Sequence, residues 1–191
     1  SLDLSGCNLS AVTSLAYAWQ NCYSLQSLDL SGCNLSAVTS LAYAWQYCYS
    51  LQSLDLSGCN LSAVINIRSA WNECRSLQYL NVSNFNTHKT TDILGAFISC
   101  VNLLFITLAE EGQETGFFNF ASGLTMDFSP CTHLGIDLDG NDNGWRAHLL
   151  ACTPQQATGT TKGIKLSANT YNLFSADDIS ALNAKGYTIS K

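Results

Sequence analysis

The sequence predicts an α/β fold of equivalent units laid side by side, each a short strand, a bend and a short helix. Three observations predict it. A 26-residue unit recurs from the first residue, which marks a repeat architecture rather than a globule. Inside the unit, leucines alternate with polar residues as on a half-buried strand. The second half of the unit spaces its apolar residues as a short helix does.

The period is close to literal. Residues 27–52 copy residues 1–26 with one change, Tyr47 in place of Asn21. Residues 53–78 copy them again with eight changes, all between Ile65 and Arg75. Near-identity fixes a shared core and says little about specificity. Specificity is therefore expected where the copies differ: between positions 65 and 75, at Tyr47, and in the irregular stretch after Leu108.

Each element of the unit has a physical reading. Leu25 to Leu35 spell L-x-x-L-x-L-x-x-C-x-L, the leucine-rich-repeat signature. Leu28 and Leu30 point inward from a strand, Asp29 points outward, and Cys33 sits at the bend. Leu15, Trp19 and Cys22, spaced i, i+4, i+7, predict a short helix on the opposite side, with Ala16 and Ala18 favouring it. Equivalent residues form inner ladders: Leu2/Leu28/Leu54/Leu80, Leu4/Leu30/Leu56/Val82 and Trp19/Trp45/Trp71/Phe97. The pattern continues in worn form. Tyr79 begins a fourth unit and Phe105–Leu108 a fifth, which closes on Cys131-x-x-Leu134. Ile136–Asn141 reads as a sixth strand and bend, and Ile164–Asn169 as a seventh. Ser175 then predicts a helix N-cap, Gly186 its stop, and Tyr187–Ile189 a closing strand. The expected organisation is one continuous solenoid: four 26-residue leucine-rich repeats over 1–104, an irregular fifth repeat with an inserted loop (around 112–123) over 105–135, and divergent repeats with a C-terminal cap over 136–191.

The segments AFISCVNL (96–103), AWQNCYSL (18–25), AWQYCYSL (44–51) and LNVSNFNT (80–87), with the ending KLSANTYNLFSADDISALNAKGYTIS (165–190), resemble the BspA-like leucine-rich-repeat family of bacterial or phage-encoded surface proteins. That resemblance implies a right-handed solenoid, with short parallel strands on the concave side, short helices on the convex side and a divergent C-terminal cap. It implies adhesion or recognition at a cell surface or virion, and it carries no catalytic residues over to this chain.

Composition narrows the function classes. Charged residues make up 12% of the chain, against roughly a quarter in ordinary domains. Net charge is −6, and every Lys and Arg lies from Arg68 onward, so phosphate-held nucleic acid is not an expected partner. The sequence has no apolar run long enough to span a membrane, and no signal peptide is expected within it. Met126 is the single methionine and Ser1 enters in register with the repeat, so the expectation is a fragment with further repeats upstream.

Candidate sites follow from the ladders. Asp3, Asp29, Asp55 and Asn81 form an outward column on the strand face, flanked by Ser31 and Ser57. The column is either held by serine hydrogen bonds or is a polar groove for a sugar, a peptide or a cation. Tyr17, Tyr43, Tyr47 and Tyr49, with Tyr23, offer an adaptable contact surface or plain lateral packing. The ladders Cys7/Cys33/Cys59 and Cys22/Cys48/Cys74/Cys100 are expected to be buried free thiols acting as small hydrophobes. Cys131 and His133 with His148 and Cys152 have zinc-like spacing, but Cys131 already fills a repeat slot. Asp139, Asn141, Asn143 and Gly144 begin like a calcium loop, yet Leu150 stands where the twelfth-position acid belongs. No phosphate loop, nucleophile elbow or paired-carboxylate site stands out, and no cofactor is expected. The expected function is a non-enzymatic recognition or adhesion module of a larger surface or virion protein, binding a host glycan or protein. The alternative is a structural spacer or assembly element that contacts other chains or upstream repeats.

Overall fold

The structure, a computed structural model, describes residues 1–83, 85, 89–109, 117, 120, 123–137, 139–153, 156, 159 and 161–191. His88, Leu138, most of the stretch 112–123 expected as an inserted loop, and the side chain of Cys152 lie outside the described residues.

In chain order the elements are β1 (Leu2–Asp3), β2 (Leu28–Asp29), β3 (Ser53–Asp55), β4 (Tyr79–Asn81), β5 (Phe105–Thr107), β6 (Thr125–Phe128), α1 (Trp145–Cys152), β7 (Lys162–Leu166), α2 (Ala168–Tyr171), α3 (Ala176–Ala184) and β8 (Tyr187–Ser190). The expected leucine-rich-repeat solenoid is not what they form. Instead of one continuous sheet there are three short parallel sheets, ordered β1-β2, β3-β4-β5 and β6-β7-β8. All three helices among the described residues lie C-terminal to the repeats, and none occupies the predicted convex side.

The helix prediction fails for a geometric reason. Alternate N–H groups in residues 15–22 bond within the unit and across to the next one. Ala18 and Cys22 donate to the carbonyls of Leu15 and Trp19, three residues back, closing tight turns. Leu15, Tyr17, Trp19 and Asn21 donate instead to Ser40, Ala42, Ala44 and Gln46 of the second repeat. The third residue of each turn is left-handed, with φ of 62° at Tyr17 and 64° at Asn21, as a type II turn requires. Two consecutive four-residue turns bring Leu15, Trp19 and Cys22 to one side, as a helix would. The same left-handed positions recur at Tyr43, Tyr47, Ser69, Glu73 and Ser99, and in the fourth repeat the first of them is Gly95.

Pairing between repeats runs at a 26-residue offset. Leu2 lies opposite Leu28, Leu54 opposite Leu80, and Leu80 opposite Ile106. On the turn side, parallel bridges link Ser14, Ser40, Asn66 and Asp92 without a break. The strand ladder does break between β2 and β3. Residues 27–38 and 53–64 are identical, so no substitution within those stretches accounts for the parting.

The inner ladders form the core from the second repeat onward, whereas Leu2 is exposed and Leu4 only partly buried. Rings stack from Trp19 to Trp45 (5.4 Å), Trp71 (5.8 Å) and Phe97 (5.1 Å). The row continues through Phe128 (4.7 Å from Phe97) to Trp145 (6.1 Å further, edge-on), tying the repeats to the C-terminal region. Trp45 and Trp71 each bury an indole N–H with no hydrogen-bond partner among the described residues. Such a group costs about 1–3 kcal/mol, and Phe97 avoids it at the fourth rung.

Beyond the repeats the outcome is mixed. Ser175 and Asp178 form a reciprocal capping box on α3, Gly186 follows with φ 90°, and β8 closes the third sheet. The expected sixth strand is absent from the described residues, because Ile136 makes only an antiparallel bridge to Asp142 across a tight loop. β6 and α1 were not signalled by the period. β6 packs so tightly on β7 that a Cβ at Gly163 would lie 2.7 Å from Thr125 Cβ. No helix among the described residues is long and apolar enough to cross a membrane.

Candidate binding site

The strand side collects the aspartate column. Asp3, Asp29 and Asp55 sit at matching positions of β1, β2 and β3, with Asn81 at the same position of β4. Each accepts a hydrogen bond at Oδ1 from the backbone N–H two residues on: Ser5 (2.8 Å), Ser31 (2.8 Å), Ser57 (2.9 Å) and Ser83 (3.1 Å). The column is therefore first a set of local turns, which offsets the proximity of like charges. Hydrogen bonds from the Ser5 side chain and its N–H hold Asp3 below the ordinary carboxylate value. A carboxylate has two oxygens, however, and the turn uses one.

A cleft of about 580 Å³ opens over the place where β2 and β3 part. It is lined by Asp3, Asp29 and Asp55, by Ser31 and Ser57, and by Cys59. Asn81 continues the column but does not line the cleft. Cys59 Sγ stands 3.9 Å from Leu30 O, against 3.1 Å for the equivalent Cys33 to Leu4 contact, so the units are further apart here.

The tyrosines lie on the turn side, away from that cleft. Tyr17 stacks on Tyr43 (4.9 Å) and Tyr23 on Tyr49 (5.3 Å), while Tyr47 meets Tyr49 edge-on (5.9 Å). Lateral packing thus accounts for their spacing, yet Tyr17 remains 55% exposed and Tyr23 52%. The third repeat adds two cations that its predecessors lack. Arg75 places its guanidinium 5.1 Å from the Tyr49 ring centre and pairs with Glu73, and Arg68 pairs with Asp92 at 2.7 Å. Both arginines fall within positions 65–75, where the copies diverge.

Of the zinc-like set, the side chain of Cys152 lies outside the described residues. Among the described residues no group of three or more His, Cys, Asp or Glu side chains could hold a metal ion. His133 Nδ1 lies 2.7 Å from Val101 O, while His148 Nε2 accepts from the Leu108 N–H at 2.9 Å. Burial lowers the His148 pKa from 6.5, which keeps the ring neutral as that acceptor role requires. In the calcium-like loop, Asp137 accepts from the N–H groups of Asp139 and Asn141, Asp142 pairs with Arg146, and Asn143 donates to Leu104 O.

The described cysteines are free, but not all are buried. Cys33, Cys48, Cys59, Cys74, Cys100 and Cys131 are buried, whereas Cys7 and Cys22 are exposed. Cys48, Cys74 and Cys100 aim Sγ at the carbonyls of Trp19, Trp45 and Trp71 at 3.0–3.1 Å. They are thiol donors as well as small hydrophobes. Burial pushes the Cys48 thiol from 9.0 up to about 12 and the Cys59 thiol up to about 11, and it raises Cys74, Cys100 and Cys131 as well.

Residues 1–104 match the family described as Mycoplasma protein of unknown function, DUF285. The chain belongs to the DUF285 family. That family is associated with BspA-like repeat surface proteins. No curated protein and no solved structure is detectably similar to this chain.

Where the DUF285 repeats meet the C-terminal region there is a second depression, of about 370 Å³, that sequence reasoning missed. Leu94 and Ile98 of the fourth repeat form one wall, and Asp127, Pro130 and Lys165 the other. Its walls come from separate stretches of chain, so no local motif could have signalled it.

Proposed function

We propose that this DUF285 chain is a non-enzymatic recognition module of a larger surface or virion protein, binding a host-surface glycan or protein through the cleft on its strand side. The supporting observation is the convergence of Asp3, Asp29, Asp55, Ser31 and Ser57 on one opening at the seam between β2 and β3. Carboxylate and hydroxyl groups at regular spacing suit the hydroxyl-rich surface of a glycan, since both accept hydrogen bonds and serine also donates. The BspA-like character of the sequence points the same way.

A glycan array read with the wild type, the Asp29→Ala/Asp55→Ala variant and the Asp29→Asn/Asp55→Asn variant tests this. The Asn pair keeps the local turn, as Asn81 does naturally. Binding by the wild type and loss in the Ala pair is the expected result. A wild type that binds nothing, or an Ala pair that binds equally well, contradicts the reading.

A further inference from the structure

We infer that the depression between the fourth repeat and the third sheet binds a free α-amino acid with an aliphatic side chain. It shares no lining residue with the strand-side cleft, so this inference stands apart from the glycan reading.

The fourth repeat departs from its predecessors where it lines this depression. Leu94 stands where the earlier repeats carry Ala16, Ala42 and Arg68, and Ile98 where they carry Gln20, Gln46 and Asn72. In the first two repeats the second of these positions is a polar contact, with Gln20 Nε2 donating to Gln46 Oε1 at 2.6 Å. Leu94 is 63% exposed and Ile98 45%, so neither replacement serves the core. Gly95 takes the place of Tyr17 and Tyr43. A Cβ there would lie 2.9 Å from Ile98 Cδ1, so the bare Cα is what lets Ile98 lie against the turn. Pro130 adds apolar surface from across the depression. Aliphatic groups gathered around a concavity but left open to solvent mark a binding site rather than a packing surface.

The wall opposite the repeat also carries charge. Asp127 on β6 and Lys165 on β7 are paired in register, so both side chains leave the same face of the sheet. Asp127 Oδ1 accepts from the N–H and the hydroxyl of Ser129 at 2.8 and 2.6 Å. Its Oδ2 lies 3.6 Å from Lys165 Nζ, longer than the roughly 2.7–2.9 Å of a charge-assisted hydrogen bond. Both side chains are partly exposed. A molecule bringing one ammonium and one carboxylate would replace this single long pair with two close ones.

That arrangement selects the occupant. An α-amino acid carries an ammonium, a carboxylate and a side chain on one carbon. Its ammonium meets Asp127 Oδ2, its carboxylate meets Lys165 Nζ, and its side chain lies between Leu94, Ile98 and Pro130. The Thr125 hydroxyl, in the same lining, is a further donor for the carboxylate. An interior peptide residue has neither charge at its α-carbon, and a fatty acid lacks the ammonium. The volume of about 370 Å³ falls within the roughly 300–1,000 Å³ of small-molecule sites.

The test is a titration of the full chain with L-leucine, followed by the methyl NMR resonances of Leu94 and Ile98. Saturable shifts are expected, with half-saturation at or below about 1 mM. Leucinamide lacks the carboxylate, N-acetyl-leucine lacks the ammonium and glycine lacks the side chain, and each should bind at least about tenfold more weakly. Asp127→Asn keeps an oxygen for the Ser129 N–H and should weaken leucine about tenfold without moving the melting temperature. Leu94→Ser, at an exposed position, should do the same. No saturable shift up to about 10 mM leucine would overturn the inference. So would leucinamide, N-acetyl-leucine or glycine binding as tightly as leucine, which would make the depression a general apolar or ionic surface. Unchanged leucine affinity in the Asp127→Asn chain would overturn it as well.

Discussion

The strand edges at β5 and at β1 differ in what covers them. At the β5 end, three side chains close the exposed strand. Asn143 donates to Leu104 O (3.0 Å), the Trp145 indole donates to Ile106 O (3.2 Å), and His148 accepts from Leu108 N–H (2.9 Å). Among the described residues no side chain bonds the outer edge of β1, and Leu2, Cys7 and Cys22 are exposed. A unit with this sequence thus has no intrinsic edge, since what buries its ladder is always the next layer. Burial in a repeat array is a property of position along it, and identical residues should respond differently at the two ends.

The largest contrast should come from one substitution placed twice. Leu2 and Leu54 occupy the same slot, 38% and 2% exposed. Leu54→Asp strands a charge in the core and should remove more than about 4 kcal/mol in urea unfolding, while Leu2→Asp should cost under about 1 kcal/mol. Equal losses would erase the distinction between covered and open layers. At the capped end, Trp145→Phe removes the donor to Ile106 O and leaves a small void. It should cost about 2 kcal/mol by the same measurement.

The cap should also carry a pH signature that the open end lacks. His148 has a folded pKa lowered below 6.5, so the unfolded chain binds the proton more readily. Its contribution is fully present above pH 6.5 and lost as pH falls through the lowered folded value. Thermal melts from about pH 7.5 to about pH 5 should show this decline. His148→Gln, whose side-chain carbonyl can accept from Leu108, should flatten it, and an unflattened decline would assign it elsewhere. The smallest effect belongs to the turns. Ser69 is left-handed at φ 51°, where the next repeat has Gly95. Ser69→Gly should raise stability by about 0.5–1 kcal/mol, and a lower melting temperature would argue against strain at that site.

What was legible in the sequence follows from the same physics. The inner ladders could be read because alternation on a strand is a two-residue code that each repeat restates at Leu28, Leu54 and Leu80. The helix could not be told from paired turns, since Leu15, Trp19 and Cys22 face one way in either. A hydrogen-bond partner 26 residues distant decides between them, and a local window does not contain it. The helix cap at Ser175 and Asp178 was visible because capping is local. The closure of β5 was not. The sequence shows His148 only within a disfavoured zinc-like spacing and Asn143 only within an incomplete calcium-like run, because their acceptor and donor roles are set by a stretch about 40 residues earlier. The aspartate column was readable as a column, but the parting of β2 from β3 that opens a cleft beneath it occurs between identical sequences.

Native thiol labelling, resolved by residue, tests the asymmetry of the two ends most directly. Cys7 and Cys22 should react within minutes, while Cys33, Cys48, Cys59, Cys74, Cys100 and Cys131 react only on the timescale of global unfolding. Uniform reactivity along the two ladders, or protection of Cys7 and Cys22 in the isolated chain, would contradict an open first layer above a closed last one.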